Sequence, residues 1–250
     1  MINLSTPFAV KDHCFPDYCR GIKRLDWSKK DIFYTVIDNS NDTAFGKKID
    51  AFAANVGFGG YKRYVFDRPQ FTIENTEDYA KVSSHVHQVY RSLQDRLPNN
   101  KFTFNVEDDV EIPPDALQKL MHIFATYPNV GTAVGKCNSR RLKDRLLSVP
   151  VAWKFRETRV MPFGTVEDIS VIRFTDPPPF GIQIIGASHI GCWLTPTKLI
   201  KQIRFDELHG LGSNDIAWGY KLMKAGYHFV IDWSIETKHW WYQDGVKGYY

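Results

Sequence analysis

The sequence predicts an α/β fold: a mostly parallel central sheet sandwiched between helices in three layers. Two observations carry this. Short apolar runs with strand-like alternation take turns with longer stretches whose apolar residues recur every three or four positions. Several of the short runs also end in Asp, Asn or Glu, as strands do when their C-terminal ends form the ligand-binding edge of an open sheet.

Taken in order, Ile2 to Phe8 is the first strand, ending in Thr6-Pro7-Phe8, and a helical segment follows. Asp31 to Asn39 is a second strand that delivers Asp38 and Asn39 to its C-terminal end. Lys62 to Phe66 is a third, after the glycine-rich Gly57-Phe-Gly-Gly60. Glu77 to Leu97 reads as a long helix with Val82, Val86, Val89, Leu93 and Leu97 on one face. Phe102, Phe104 and Val106 alternate as a strand, and Leu117, Leu120, Met121 and Phe124 begin a helix that stops near Pro128.

Gly131 to Gly135 is a short strand, and a long irregular stretch with Trp153 and Pro177-Pro178-Pro179 comes next. Ile182 to Gly186 restores order, with Gly186 and Gly191 allowing close backbone approach. A helix capped by Ser213 runs to Gly226, and a strand from His228 to Trp233 leads to His239.

The chain has 250 residues, 43% hydrophobic and 24% charged, enough for a full core in one domain. Disorder is excluded on that composition. No apolar run approaches the roughly 18 residues that cross a bilayer, and the N-terminus lacks signal-peptide zones, so the expected location is cytoplasmic. Four scattered cysteines, Cys14, Cys19, Cys137 and Cys192, fit reduced thiols. His13, Cys14 and Cys19 lack an evident fourth zinc ligand. A net charge of +4 favours acidic partners weakly, with Lys136, Arg140, Arg141, Lys143 and Arg145 gathered together.

The acids Glu107, Asp108 and Asp109 stand where the Phe102 strand gives way to helix. Glu107 and Asp109 are two apart and point the same way in extended backbone, offering oxygen ligands to a divalent cation. A solvated acidic turn capping the helix through Asp115 is the plainer reading. Asp215 lies in the first turn of its helix, where the macrodipole favours the ionised carboxylate, so it suits a general base as well as a helix cap. His239, after an apolar strand, suits a structural histidine or a metal ligand.

In this order the motifs resemble the GT-A glycosyltransferases, in particular inverting family 2, over nearly the whole chain. The matching segments are Thr6-Pro7-Phe8, Val36 to Asp42, Val106 to Leu117 as a DxD-type motif, Ile185 to Gly191, Ser213 to Tyr227, and Lys238 to Trp241. The resemblance implies a metal-dependent transfer of a hexose or pentose from a nucleoside-diphosphate sugar, UDP-sugar above all, to an acceptor hydroxyl. It implies a nucleotide-sugar-binding half over about 1–130 and an acceptor-binding half over about 131–250. Thr6, Pro7, Asp38, Asn39, Glu107 and Asp108 would then serve the nucleotide sugar. Asp109 and His239 would hold Mn²⁺ or Mg²⁺, with the imidazole leaning toward Mn²⁺. Asp215 would be the catalytic base.

Two positions depart from the pattern: Glu107 stands for the first Asp of the DxD, and Asn214 for the first acid of the usual pair. The basic cluster admits a phosphate-bearing acceptor, whether glycan, lipid-linked sugar or modified nucleic acid. At least half of Trp153, Trp193, Trp218, Trp240 and Trp241 are expected in the core, and the rest would suit sugar faces. The rival readings are a nucleotidyltransferase acting on a sugar phosphate and a non-catalytic carbohydrate- or nucleic-acid-binding protein. Thr6 to Asp12 has no glycine for the phosphate loop that the first rival needs.

Overall fold

The computed structural model describes residues 1–9, 11–67, 79–138, 151–155, 171–173, 180–205, 214–243 and 246–249. Ser213, Arg140 to Arg145 and Pro177 to Pro179 lie outside these. The first half alternates strand and helix: β1 (Ile2–Phe8), α1 (Phe15–Arg24), β2 (Ile32–Asp38), α2 (Thr43–Val56), β3 (Gly60–Val65), α3 (Tyr79–Arg96), β4 (Phe102–Val106), the short β5 (Val110–Glu111), α4 (Ala116–Thr126) and β6 (Val130–Lys136). The second half contains β7 (Ala152–Phe155), β8 (Val171–Arg173), β9 (Ile182–Ile185), β10 (Ala187–Ser188), β11 (Cys192–Pro196), α5 (Thr197–Gln202), α6 (Asn214–Lys224), β12 (His228–Glu236), β13 (Lys238–Gln243) and β14 (Val246–Tyr249).

Eight strands form the central sheet in the order β3-β2-β1-β4-β11-β6-β12-β9. β1, β2, β3 and β4 run parallel, as do β6 and β12, while β11 runs antiparallel between β4 and β6 and β9 antiparallel beside β12. Side chains alternate across the sheet. Cys192 and Leu194 face the core under α1, α2 and α4, whereas Trp193 between them joins Val89 and Leu93 of α3 and Trp218 of α6 on the other face. Phe229, Ile231 and Trp233 of β12 also face that second layer, and Val230 the first.

Pro7 sits inside a central strand, where a missing N–H normally breaks a ladder. The Phe8 carbonyl accepts from Asn39 N (2.9 Å) on the β2 side, so Pro7 presents its nitrogen to the opposite side. There β1 has already parted from β4, whose pairing ends at Ser5.

Within the sheet and its cover, α2, β11 and α5 were not anticipated. α2 is capped by Asp42, whose carboxylate accepts from Ala44 N and Phe45 N (2.8 and 3.1 Å), and it ends at Gly57 in the left-handed region (φ 69°). Its buried Phe45, Ile49, Phe52 and Ala53 carry the helical period that marks it. β11 is too short and too centrally buried for alternation to reveal it, since both of its faces are covered. The acid loop after β4 is tied to its start, Glu107 N donating to the Gly191 carbonyl (2.9 Å).

The C-terminal segment forms the β13–β14 hairpin, and β13 pairs antiparallel with β5, placing His239 opposite Val110 and Lys238 opposite Glu111. α1 secures β5 from behind: Arg20 donates to both Glu111 carboxylate oxygens (2.9 and 2.7 Å) and to Asp17 (2.6 Å). Among the described residues, no helix is long and apolar enough to cross a membrane.

Candidate active site

The C-terminal ends of β1, β2 and β4 and the N-terminal end of β11 meet at one edge of the sheet, and most of the expected residues gather there. Asp38, almost fully buried, accepts from Ser40 N (3.0 Å) and from Arg63 Nη1 (2.8 Å). Arg63 also binds Asp50 through two further nitrogens. This arginine of β3 is a site residue that the sequence reading missed.

The acid loop is a tight turn rather than extended backbone, Val110 N donating to the Glu107 carbonyl (3.1 Å). The two-residue spacing therefore does not act through extended backbone, and Glu107 and Asp109 take different partners. Glu107 accepts from the Tyr90 hydroxyl (2.8 Å) and lies 3.3 Å from His189 Nε2. Asp108 and Asp109 instead share one cation, the Lys11 ammonium, at 3.0 and 2.9 Å. Asp108 also accepts from Ala9 N (2.7 Å). Burial pushes the Asp108 carboxyl up to about 6, with Lys11 opposing and neighbouring Asp109 adding to the rise.

His239 reaches this cluster through the β13–β5 pairing, reinforced by Trp240 N donating to the Asp109 carbonyl (2.8 Å). Its Nδ1 donates to the Asn138 carbonyl (3.0 Å), so that a neutral ring carries its lone pair on Nε2. Among the described residues that buried Nε2 has no hydrogen-bond partner, and it stands 3.5 Å from Asp109 Oδ2. A lone pair facing a carboxylate is an arrangement that suits a cation, and a carbonyl behind a histidine is the usual support for a metal ligand. The expected pair, Asp109 and His239, therefore fits a divalent ion.

His189 and Cys137 extend the cluster. Ligand atoms of Cys137, His189 and His239 lie within 4.8 Å of one another, and the two imidazole rings are 4.7 Å apart. Burial pushes His189 toward neutrality, while Cys137 and Glu107 more than offset this and raise it to about 9. The Gly191 N–H pointing at Nδ1 (3.1 Å) requires a lone pair there, and it decides for the neutral ring with its proton on Nε2 toward Glu107. Gly191 is needed for this approach: a Cβ there would fall 2.6 Å from the His189 ring and 2.9 Å from Val110.

Asp215, half-buried in the first turn of α6, accepts a hydrogen bond from the Ile190 backbone, and His189, Glu107 and His239 are near enough to influence its charge. The macrodipole argument alone gives the wrong direction for it. Burial raises its carboxyl to about 6, with His189 opposing and Glu107 adding. It remains mainly ionised at neutral pH.

Thr6 and Asn39 are not presented to this edge. Thr6 is fully buried in β1, its hydroxyl 2.6 Å from that of Tyr18. Asn39 is turned inward, donating to the Phe66 carbonyl (3.0 Å) and lying 2.5 Å from His85 Nε2. β1 continues through Thr6, and alternation drives that side chain into the protein, whereas Asn39 lies just beyond the end of β2 and is held inward by Phe66 and His85. Pro7 remains half-buried at the edge. Asp115 stands at the N-cap of α4 but makes no capping hydrogen bond, pairing with Lys119 instead (2.9 Å). Trp193 and Trp218 are core residues, with Trp218 stacked on Phe205 at 4.5 Å, whereas Trp153 and Trp240 are half-buried.

This architecture is similar to that of several solved enzymes. GalNAc-T7, solved with UDP, GalNAc and Mn²⁺, matches with a TM-score of 0.64 at 8% identity, over 98% of this chain and 44% of that one. The mannosyltransferase PcManGT of Pyrobaculum calidifontis, solved with GDP-Man and Mn²⁺, matches at 0.57 and 11%, over 92% and 55%. TarS of S. aureus, solved with UDP-GlcNAc, matches at 0.55 and 15%, over 92% and 55%. The chain has a GT-A glycosyltransferase fold. It spans about half the length of these GT-A structures. No protein-family model and no curated protein sequence matches it. Within the GT-A frame, Lys11, Arg63, Tyr90, Cys137 and His189 are the site residues that motif order did not provide.

Proposed function

We propose that the chain is an inverting glycosyltransferase that moves a hexose or pentose from a nucleoside-diphosphate sugar, UDP-sugar above all, to an acceptor hydroxyl. The observation that supports this best is the meeting of Lys11, Asp109 and His239 at the end of β4, with Asp215 close by on α6. Asp38, held by Arg63 and Ser40 N, is the group for the nucleoside at the end of β2, beside Pro7. The Lys11 ammonium lies where positive charge would offset the departing diphosphate, and Asp108 keeps it there.

A divalent cation held by Asp109 and His239 would add Lewis-acid charge to the same leaving group. Tyr90 is held firmly as a donor, since burial and Glu107 raise its hydroxyl well above the usual range. Its hydrogen bond fixes Glu107, which in turn orients His189. Asp215 takes the proton of the acceptor hydroxyl as it attacks opposite the leaving group, giving inversion. Residues from about 131 to 250 serve as the acceptor half, and among the described side chains Trp153 and Trp240 offer aromatic faces for a glycan, lipid-linked sugar or modified nucleic acid.

The test is a panel of nucleotide sugars with divalent ions, following nucleoside-diphosphate release and the anomeric configuration of the product. Asp215→Asn is expected to bind donor and lose transfer. Release of pyrophosphate would replace this reading with a nucleotidyltransferase. Ligand binding without turnover of any donor would make it a binding protein.

A further inference from the structure

We propose that Cys137, His189 and His239 form a soft-donor metal site of zinc class, so that the ion serving this edge of the sheet is Zn²⁺ in preference to Mg²⁺ or Mn²⁺. The proposal rests on the same site as the transferase reading but not on its chemistry. Cys137 is buried at the end of β6, His189 follows β10, and His239 is brought in by the β13–β5 pairing. Three separate parts of the chain thus deliver one sulfur and two imidazoles into a single buried space, within 4.8 Å of one another.

Ligand atoms on a tetrahedral zinc, with Zn–S near 2.3 Å and Zn–N near 2.0–2.1 Å, stand about 3.3–3.6 Å apart. Side-chain rotations of roughly 1 Å close the present arrangement to that spacing. His239 is already prepared: the Asn138 carbonyl holds its Nδ1 proton, and among the described residues the buried Nε2 is without a hydrogen-bond partner. Cys137 is a free thiol.

The chemistry of the donors decides the ion. A thiolate with two imidazoles selects zinc-class ions, whereas magnesium and manganese suit carboxylate and water oxygens. Of the oxygens that would attract those harder ions, Asp108 Oδ1 and Asp109 Oδ2 already hold the Lys11 ammonium. Three protein ligands leave a fourth position open, the arrangement of catalytic rather than structural zinc. Binding displaces the proton of the thiol. Neutral His189 ligates through its Nδ1 lone pair in place of the Gly191 N–H and loses no proton, and Glu107, 3.3 Å from Nε2, holds the proton that stays on the ring.

Cobalt(II) titration of the metal-free protein tests this directly. One equivalent is expected to give a sulfur-to-cobalt charge-transfer band with tetrahedral d–d bands, displaced by Zn²⁺ but not by an equal concentration of Mg²⁺. The band should vanish in Cys137→Ser and persist in Cys19→Ser. Should Cys137→Ser fail to fold by circular dichroism, His189→Gln serves, with cobalt affinity expected to fall by more than the about 10–100-fold typical of an outer-shell partner. A cobalt spectrum without the thiolate band, or an unchanged band in Cys137→Ser, overturns the site. So does donor turnover supported by Mn²⁺ that Cys137→Ser leaves intact, although the transferase reading then survives. Cobalt binding through Cys137 with no turnover of any donor leaves the metal site standing and removes the transferase.

Discussion

Replacing Lys11 by Met tests whether the ammonium is the resident counter-charge of the acid loop. Its nitrogen lies 3.0 Å from Asp108 and 2.9 Å from Asp109, whose side chains are 5% and 2% exposed against 18% for Lys11. Removing one partner of a buried pair leaves an uncompensated charge and costs about 3–5 kcal/mol. Asp108, already raised to about 6, takes up a proton in the variant, which places the loss near the lower end. At about 2–4 °C per kcal/mol for a chain of this size, the melting temperature should fall by about 6–12 °C.

The assay is thermal unfolding in metal-free buffer, repeated with increasing Mg²⁺ or Mn²⁺. With Lys11 gone, Asp108 and Asp109 become available oxygen ligands, so these ions should stabilise the variant more than the wild type. At a hundredfold excess over the dissociation constant the gain approaches about 2.7 kcal/mol, nearly offsetting the loss. A melting temperature within about 2 °C of wild type would refute the counter-charge argument. Equal stabilisation of both proteins by metal would refute the competition between Lys11 and a hard cation.

Other expectations follow from the same geometry. If Asp215 is the base it must be ionised; because its folded value is raised to about 6, transfer should fall tenfold per unit as pH drops below 6, and Asp215→Asn should remove the activity on which that limb is measured. Gly191→Ala drives a methyl into the His189 ring at 2.6 Å and Val110 at 2.9 Å, so it should lower stability by about 1–3 kcal/mol in denaturant unfolding and weaken cobalt binding in parallel. Asp42→Ala removes the cap of α2 and should cost about 1 kcal/mol without altering metal binding; a stability unchanged within error would show that Ala44 N and Phe45 N are satisfied by water.

Apart from α2 and the short β5, the sequence by itself determined the order of strands and helices in the first half, because apolar alternation and helical spacing are local properties of the chain. It also determined that Asp38 and the acids after Val106 stand at strand ends, since strand termini are marked by the change from apolar to polar residues. Asp215 and His239 were located by the sequence of motifs alone. The tertiary structure decided which of these share a space.

That Asp109 meets His239 depends on β13 pairing with β5, a contact between residues about 130 positions apart that no local pattern encodes. That Lys11 spans Asp108 and Asp109, and that Cys137 and His189 join His239, depends in the same way on long-range packing. Thr6 is turned inward because β1 continues past it, and Asn39, just beyond β2, because tertiary contacts with Phe66 and His85 hold it there. The charge on Asp215 was likewise decided by burial, a property of the assembled fold, rather than by the helix terminus that the sequence makes visible.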